Sequence, residues 1–442
     1  MSIEFCAPDY YLWTLKNWLS YIEPTLAEFG LRVEAFTLRS VCMHTCGCVY
    51  RGIPDNEGAL LELVLGTCLK KWKRRAAMNK WAVLFAAVAI HMIGFGSVIP
   101  SIPYLVKEVG GGAVLQGVLV STFALMQFLT APLWGYLSDR LGRAVVASAG
   151  LLLAAFGQLV AYTAHSATTL LLGRAVSGVG GGTLPALQSL MAELAPAERR
   201  ASSMALFGAA FGVGFVVGPA LGGALSIISP RLPFLIAAAL SAAAAAAVTR
   251  LPNIKHVGEP RVEWKIGLLA LPVLLLNAGF SMFEGLVAYF AAFAAGLTPA
   301  QIGLMLAAAG VAAGAAQPAV RRLEASVSAA VGVFTGLLIT AAGLASLYFY
   351  SYGPAVVYLG VAAASLGQVV ASSFIFSMAS KTGGPLGLSF GALQSSGSLG
   401  RIIGPALGGY LYQHAGPAAP FAAALAFVAA TAAFILPASA RR

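Results

Sequence analysis

The sequence predicts an all-α membrane protein, with twelve transmembrane helices in two pseudo-symmetric six-helix bundles. Three observations predict it. Of 442 residues, 59% are hydrophobic and only 10% are charged, against roughly 25% charged in an ordinary soluble domain. From Trp81 onward, apolar runs of about 18–26 residues recur, each able to cross a ~30 Å hydrocarbon core. A six-residue string also returns at the equivalent place of each half. This composition excludes a soluble globular protein, a disordered chain and a disulfide scaffold. It argues against a transmembrane β-barrel, whose alternating strands need more polar residues. Helices satisfy their own backbone in lipid, which leaves a polytopic helical protein.

The first 77 residues stand apart. They hold 17 charged residues, whereas the other 365 positions hold 26. All five cysteines (Cys6, Cys42, Cys46, Cys48 and Cys68) lie here. The stretch Cys42-Met-His44-Thr-Cys46-Gly-Cys48 offers thiolate and imidazole, the usual zinc ligands. Its spacing matches no paired Cys-x-x-Cys arrangement, so no metal site is expected. The opening is acidic and lacks a basic region followed by an apolar one, unlike a signal peptide. Residues 1–77 are read as a polar extension: either a small appended domain, or a disordered or non-native stretch upstream of a start at Met78.

The predicted spans are 81–105, 114–136, 144–164, 168–193, 202–227, 232–250, 266–295, 301–317, 327–350, 353–379, 388–413 and 416–436. Basic residues orient them. With the N-terminus inside, nineteen Lys/Arg fall on the inner side, from the Lys70–Arg75 cluster to Arg441 and Arg442. Only Lys107 and Arg231 fall outside, a strong positive-inside asymmetry. Both termini are then cytoplasmic. The +11 net charge thus reads as topology rather than nucleic-acid binding, for which no stripe exists. Residues 78–250 form the first expected bundle, 251–265 a polar cytoplasmic linker, and 266–442 the second bundle.

Gly-Pro-Ala-Leu-Gly-Gly occurs at 218–223 and again at 404–409, an offset of 186. The same offset pairs Gly214 with Gly400 and Pro132 with Pro318. Such internal duplication is the usual construction of secondary transporters.

Between spans two and three stands Gly135-Tyr-Leu-Ser-Asp139-Arg140-Leu-Gly142-Arg143. Two glycines enclose Asp139 and Arg140, and a second base, Arg143, follows in a tight turn, where glycine permits close approach and positive φ. Asp139 suits a neighbouring helix N-terminus. This loop resembles the signature loop of the major facilitator superfamily. The resemblance implies that Asp139 and Arg143 form a charge relay with Glu193 at the inner end of span four. That relay would lock the two halves in the outward-open state. The second half, Pro318-Ala-Val-Arg321-Arg322-Leu-Glu324-Ala325, has lost the acid, so a lopsided latch is expected.

Span five carries Gly214, Gly218, Pro219, Gly222 and Gly223, and span eleven repeats Gly404, Pro405 and Gly408. Glycines four apart form a smooth packing face, and proline bends the helix. The pattern resembles the motif of the family's antiporter branches. A generic packing face is the alternative, and the copy on span eleven suits it.

Ionisable groups inside spans are costly, and so are candidates for function. Glu284 is the one carboxylate deep in a predicted span. A lone carboxylate in low dielectric can bind and release a proton near physiological pH, which suits a proton-coupling group. A structural pair with Arg401, or a neutral Glu bonded to backbone, remains the alternative. Arg174 resembles the family's membrane-embedded arginine implicated in proton coupling. Arg401 and His91 sit mid-span; Arg401 reads as structural or anion-binding, and His91 as a packing histidine. Further cavity candidates are Gln127, Gln158, Gln188, Asn277, Gln368 and Gln394, with Phe280, Phe283 and Tyr289 as apolar lining.

The body has no Gly-x4-Gly-Lys-Ser/Thr loop, no His/Asp/Glu metal cluster and no Gly-x-Ser-x-Gly turn. No cofactor and no enzymatic activity are expected. The resemblance points nearest to the drug/proton antiporter-like efflux branch: secondary active, alternating-access export of small organic molecules from a cell-membrane monomer, driven by protons. Two alternatives remain open, a facilitator or importer of sugar, amino acid or organic anion, and a non-transporting receptor or channel.

Overall fold

The computed structural model describes residues 80–194, 200–254, 270–323, 326–380 and 386–440, and leaves aside the side chains of 192, 200–206, 318–319, 321, 376, 379–380, 386–394 and 436–440. The cysteine cluster, Met78, most of the 251–265 connection, and Glu324 with Ala325 lie outside the described residues.

Fourteen α-helices occur among the described residues. The first half contains α1 (Lys80–Val98), α2 (Ile102–Glu108), α3 (Ala113–Leu141), α4 (Arg143–Tyr162), α5 (Ala167–Gly181), α6 (Leu184–Leu194), α7 (Arg200–Ile228) and α8 (Leu232–Val248). The second contains α9 (Ala270–Phe293), α10 (Pro299–Leu323), α11 (Ala329–Ser346), α12 (Pro354–Ser380), α13 (Leu386–Ala415) and α14 (Ala419–Ala440). Each predicted span meets one helix or a consecutive pair. Among the described residues, eight helices are long and apolar enough to cross a membrane, and Leu232–Val248 and Ala419–Ile435 are shorter apolar helices.

Span four departs from expectation. It breaks into α5 and α6 at Gly182-Thr183, where three glycines and Pro185 weaken the helical ladder. The freed carbonyls are satisfied from α3. Trp134 Nε1 donates to Val179 O at 2.7 Å, Thr130 Oγ1 to the same oxygen at 3.3 Å, and Gln127 Nε2 to Gly181 O at 3.2 Å. Buried backbone groups need such partners. Ser166 and Ser328 cap α5 and α11 by accepting from the backbone N–H of Thr169 and Val331, a preferred N-cap arrangement.

Lipid supplies no hydrophobic drive between helices, so close packing at small residues holds them together. The repeated glycine string shows how. On α7, Gly214, Gly218 and Gly222 lie against Met92, Ile93–Gly96 and Ser97 of α1. On α13, Gly400, Gly404 and Gly408 lie against Leu274–Ala278, Ala278–Met282 and Met282–Leu286 of α9. The last glycine of each string faces the other half. Gly223 meets Pro299 and Gly303 of α10, and Gly409 meets Ala113 and Val114 of α3. The carbonyls of Pro219 and Pro405 likewise face Gly303 and Gly117. These contacts repeat at the 186-residue offset read from the sequence.

Two buried clusters follow the two halves. One gathers Leu84, Leu151, Leu190, Phe207 and Val248; the other gathers Phe283, Phe290, Phe374, Phe421 and Ile435. A third draws on both halves, with Val98, Leu105, Leu119 and Phe234 packed with Leu286 and Tyr289. The halves are thus joined at the end that carries Gly112 and Gly296.

Candidate functional site

The joined end is a seam of backbone-directed hydrogen bonds. Gln116 Nε2 donates to Gly285 O at 3.1 Å, Ser121 Oγ to Ile402 O at 2.6 Å, and Tyr104 OH to Leu297 O at 3.0 Å. Val114 N donates to Gln413 Oε1 at 3.3 Å. Every described hydrogen bond between the halves lies at this end. At the opposite end an added Cβ on Gly135, Gly208, Gly212 or Gly314 would meet nothing within 4 Å. Among the described residues, the helix faces that meet at the seam thus separate toward the Gly142 end.

Glu284 lies directly below the seam, one residue before the carbonyl that Gln116 engages. On α9, Ala278, Ser281 and Gly285 face α13, and Gly279 faces α14. Leu276, Phe283 and Val287 enter the core. At 100° per residue, Asn277, Phe280 and Glu284 share the remaining face. Glu284 is exposed, while Asn277 and Phe280 are half-buried. Asn277 Nδ2 donates to Val273 O at 2.9 Å.

Arg401 lies on α13 between two packed sectors. Gly400 and Gly404 face α9, while Pro405 and Gly409 face α3. Leu399, Ile403 and Tyr410 are exposed on the opposite side of the helix. The exposed Arg401 side chain therefore projects between the halves, not with that outer stripe. Its Nη2 donates to Ser398 Oγ at 3.0 Å. Arg401 and Glu284 interact electrostatically but form no ion pair. Among the described residues the ion pairs are Arg143–Asp139, Arg143–Glu193 and Arg231–Glu108.

Arg174 is buried, 4% exposed, with its guanidinium 4.5 Å above the Phe123 ring. A ring face partly compensates a desolvated cation, although Nε has no hydrogen-bond partner. No described contact links Arg174 to Glu284.

Other candidates divide. His91 is 7% exposed and its Nδ1 lies 3.0 Å from Ser241 Oγ, so it packs the α1–α8 seam and does not line the cavity. Phe283 is also a correction: it is 2% exposed and packs edge-on against Phe421, because its direction on α9 points into the core. Tyr289 is buried in the mixed cluster against Tyr412. Gln158 and Gln368 are buried, each with an unpartnered Oε1. Gln127 serves the broken helix, and Gln188 is exposed. The Gln394 side chain lies outside the described residues.

The charged turn is assembled within the first half. Arg143 Nη2 lies 2.6 Å from Glu193 Oε1 and 3.6 Å from Asp139 Oδ1, tying the junction of α3 and α4 to α6. The Arg140 guanidinium stacks on Tyr136, 4.4 Å from its centroid. Gly142 has φ +104°, a conformation that requires glycine. Gly135, by contrast, is helical and has open space beside it, so its glycine is not needed for the turn itself. Sequence reasoning missed Asn253. Its Nδ2 donates to Leu141 O at 2.9 Å, its Oδ1 accepts from Val145 N at 3.4 Å, and Arg143 N donates to Ile254 O at 3.0 Å. A short polar residue just past a helix end is a common turn former, which is the signal that was available.

Comparison with known proteins agrees with this architecture. The Major Facilitator Superfamily matches over residues 84–275. Quinolone resistance protein NorA of Staphylococcus aureus (strain MRSA252) is 26% identical over 249 residues, 53% of this chain and 64% of that protein. The chain thus spans less than two thirds of that relative. Tetracycline resistance protein, class C, of Escherichia coli is 33% identical over 186 residues, 41% of this chain and 47% of that protein. Two solved structures share the fold. The human organic anion transporter MFSD10 (TETRAN) has a TM-score of 0.62 at 22% identity, covering 81% of this chain and 99% of its own. The nucleoside transporter NupG has a TM-score of 0.66 at 14% identity, covering 82% and 98%. Over residues 84–275 this chain is thus similar to the Major Facilitator Superfamily, and its paired halves and charged turn agree with that likeness.

Proposed function

We propose that the chain is a secondary active transporter that exports small organic molecules in exchange for protons, by alternating access between residues 78–250 and 266–442. The observation that carries this reading is the position of Glu284. It is a carboxylate exposed to the space between the halves, immediately below the seam that closes one end. A proton bound there changes the charge at the base of the cavity, beside the contacts that must part when the halves rock. Such rocking is driven only by differential affinity of proton and substrate for the two states. The drug-resistance names of the two curated relatives support an organic substrate.

With the orientation set by the basic residues, the Gly142 end is cytoplasmic and the described state is open inward. Proton movement then runs from outside to inside through Glu284, with Arg174 holding positive charge near the path. Asp139, Arg143 and Glu193 form the latch. Its three members belong to one half, so it acts by setting the face that α3 presents to the second half. The uncrowded Gly135 is that face, and closure at this end brings a helix onto it. The chain works in the cell membrane with both termini cytoplasmic.

Proteoliposomes test this. Glu284→Gln leaves folding intact and reduces substrate transport driven by a pH gradient at least tenfold. Undiminished pH-driven transport by that variant removes Glu284 from the coupling. The exposed Arg401 favours one second reading, a facilitator of organic anions. Counterflow that needs no proton gradient identifies it.

A further inference from the structure

Glu284 and Arg401 are opposite charges facing one space without forming a pair. Gly397 and Gly400, four residues and one residue before Arg401, lie against Asn277, so Arg401 stands close to the level of Asn277 on the neighbouring helix. Glu284 is seven residues further along α9. At ~1.5 Å per residue the two groups start about 10 Å apart along the helix axis. Phe280 lies between those levels on the same face of α9, half-buried against Phe283. The arrangement is therefore negative at the closed end, aromatic in the middle and positive toward the open end.

We propose that this strip of α9 and α13 is a two-pole binding site for elongated amphoteric molecules, with a cationic amine toward Glu284, an acid toward Arg401, and an aromatic body over Phe280. The proposal rests on the transporter reading above and deepens it by naming the substrate class. Two charge-assisted contacts at fixed separation select for both charge and length. Apolar monocations and simple anions each leave one pole unanswered, and a charge desolvated without a partner is penalised. An α-amino acid, whose two charges share one carbon, cannot reach both.

The test is equilibrium binding of radiolabelled probes to the purified full chain in lipid nanodiscs at neutral pH, with no gradient. The probe is a biphenyl bearing an aminomethyl group at one end and a carboxyl at the other. Its methyl ester, its N-acetyl derivative and free phenylalanine are the comparators. The wild-type chain should bind the biphenyl zwitterion at least tenfold more tightly than any comparator. Arg401→Gln should bring the zwitterion down to the affinity of the ester while leaving the ester within threefold of wild type. Glu284→Gln should bring it down to the affinity of the N-acetyl derivative, and Arg401→Lys should keep most of the preference. The proposal is overturned if wild type binds ester and zwitterion alike or binds none of the four. It is also overturned if Arg401→Gln weakens both probes equally. Because no gradient is present, these outcomes are separate from coupling: a Glu284→Gln protein that loses the zwitterion preference yet keeps pH-driven transport sinks the coupling role and leaves the site standing.

Discussion

Asn253 holds the backbone of Leu141, donating from Nδ2 to its carbonyl oxygen at 2.9 Å while accepting from Val145 N at 3.4 Å. The residues just past α8 are thereby strapped to the turn that aims Arg143 at Glu193. Asn253→Ala removes both side-chain contacts from an exposed position, so its cost to stability is small, about 1 kcal/mol or less. Its effect on transport should be larger, a several-fold loss of rate, because the strap leads directly into the connection between the halves. A stability measurement paired with an initial-rate assay separates the two. Equal losses in folded fraction and rate reduce Asn253 to a structural tie.

Much of this fold was legible in the sequence, and the reasons are specific. Span positions follow from the length of apolar runs against a fixed membrane thickness. The 186-residue offset anticipated the seam, because identical glycines at equivalent positions repeat the same backbone approach on α7 and α13. The break in span four was not read, since apolarity persists through Gly180-Gly-Gly-Thr-Leu-Pro185 while the backbone ladder does not. Side-chain direction was the main loss at the site. Phe283 carries the right chemistry for a cavity, but a shift of one residue, about 100° of phase, decides between lumen and core, and composition holds no phase. Asn253 escaped notice because its partners are backbone atoms more than a hundred residues away.

Gly142 offers a sharper test of the turn. Its φ of +104° is costly for any L-residue, and the Asn253 side chain already occupies the place of an added Cβ. Gly142→Ala should destabilise the chain by about 1–3 kcal/mol through backbone strain. The variant should also lose the Arg143–Glu193 contact, visible as protease sensitivity near the turn. Wild-type stability would mean that the turn relaxes without penalty.

Arg143 and Glu193 form a short, largely buried ion pair, with side chains 10% and 24% exposed. Removing Arg143 strands Glu193, at a cost approaching ~3 kcal/mol for a fully buried pair and less here because Glu193 is partly solvated; removing Glu193 leaves Arg143 with Asp139 at 3.6 Å. A double-mutant cycle of Arg143→Gln and Glu193→Gln should give a coupling energy of about 1–2 kcal/mol, within the range for contacting residues. Additive effects would show that the two act independently, and the relay would then have no energetic content.

The seam itself predicts how the conformational equilibrium can be pushed. Gly303 and Gly409 sit where the two halves meet, against Pro219–Gly223 and Ala113–Val114 respectively. A branched side chain at either position forces backbones apart that glycine lets touch, and overpacking of this kind typically costs about 1–3 kcal/mol. That penalty applies only in the state where the seam is closed, so Gly303→Val or Gly409→Val shifts the population toward the opposite state. A 1.4 kcal/mol penalty is a tenfold change in the ratio. Residues 78–442 contain no cysteine, so once the five upstream cysteines are replaced by serine, Gly212→Cys reports on the open end alone. Its labelling by a water-soluble maleimide should fall several-fold when Gly409→Val is added, because Gly212 becomes covered as that end closes. Unchanged or faster labelling would mean that the halves separate without alternating, and the two-state mechanism would have to be abandoned.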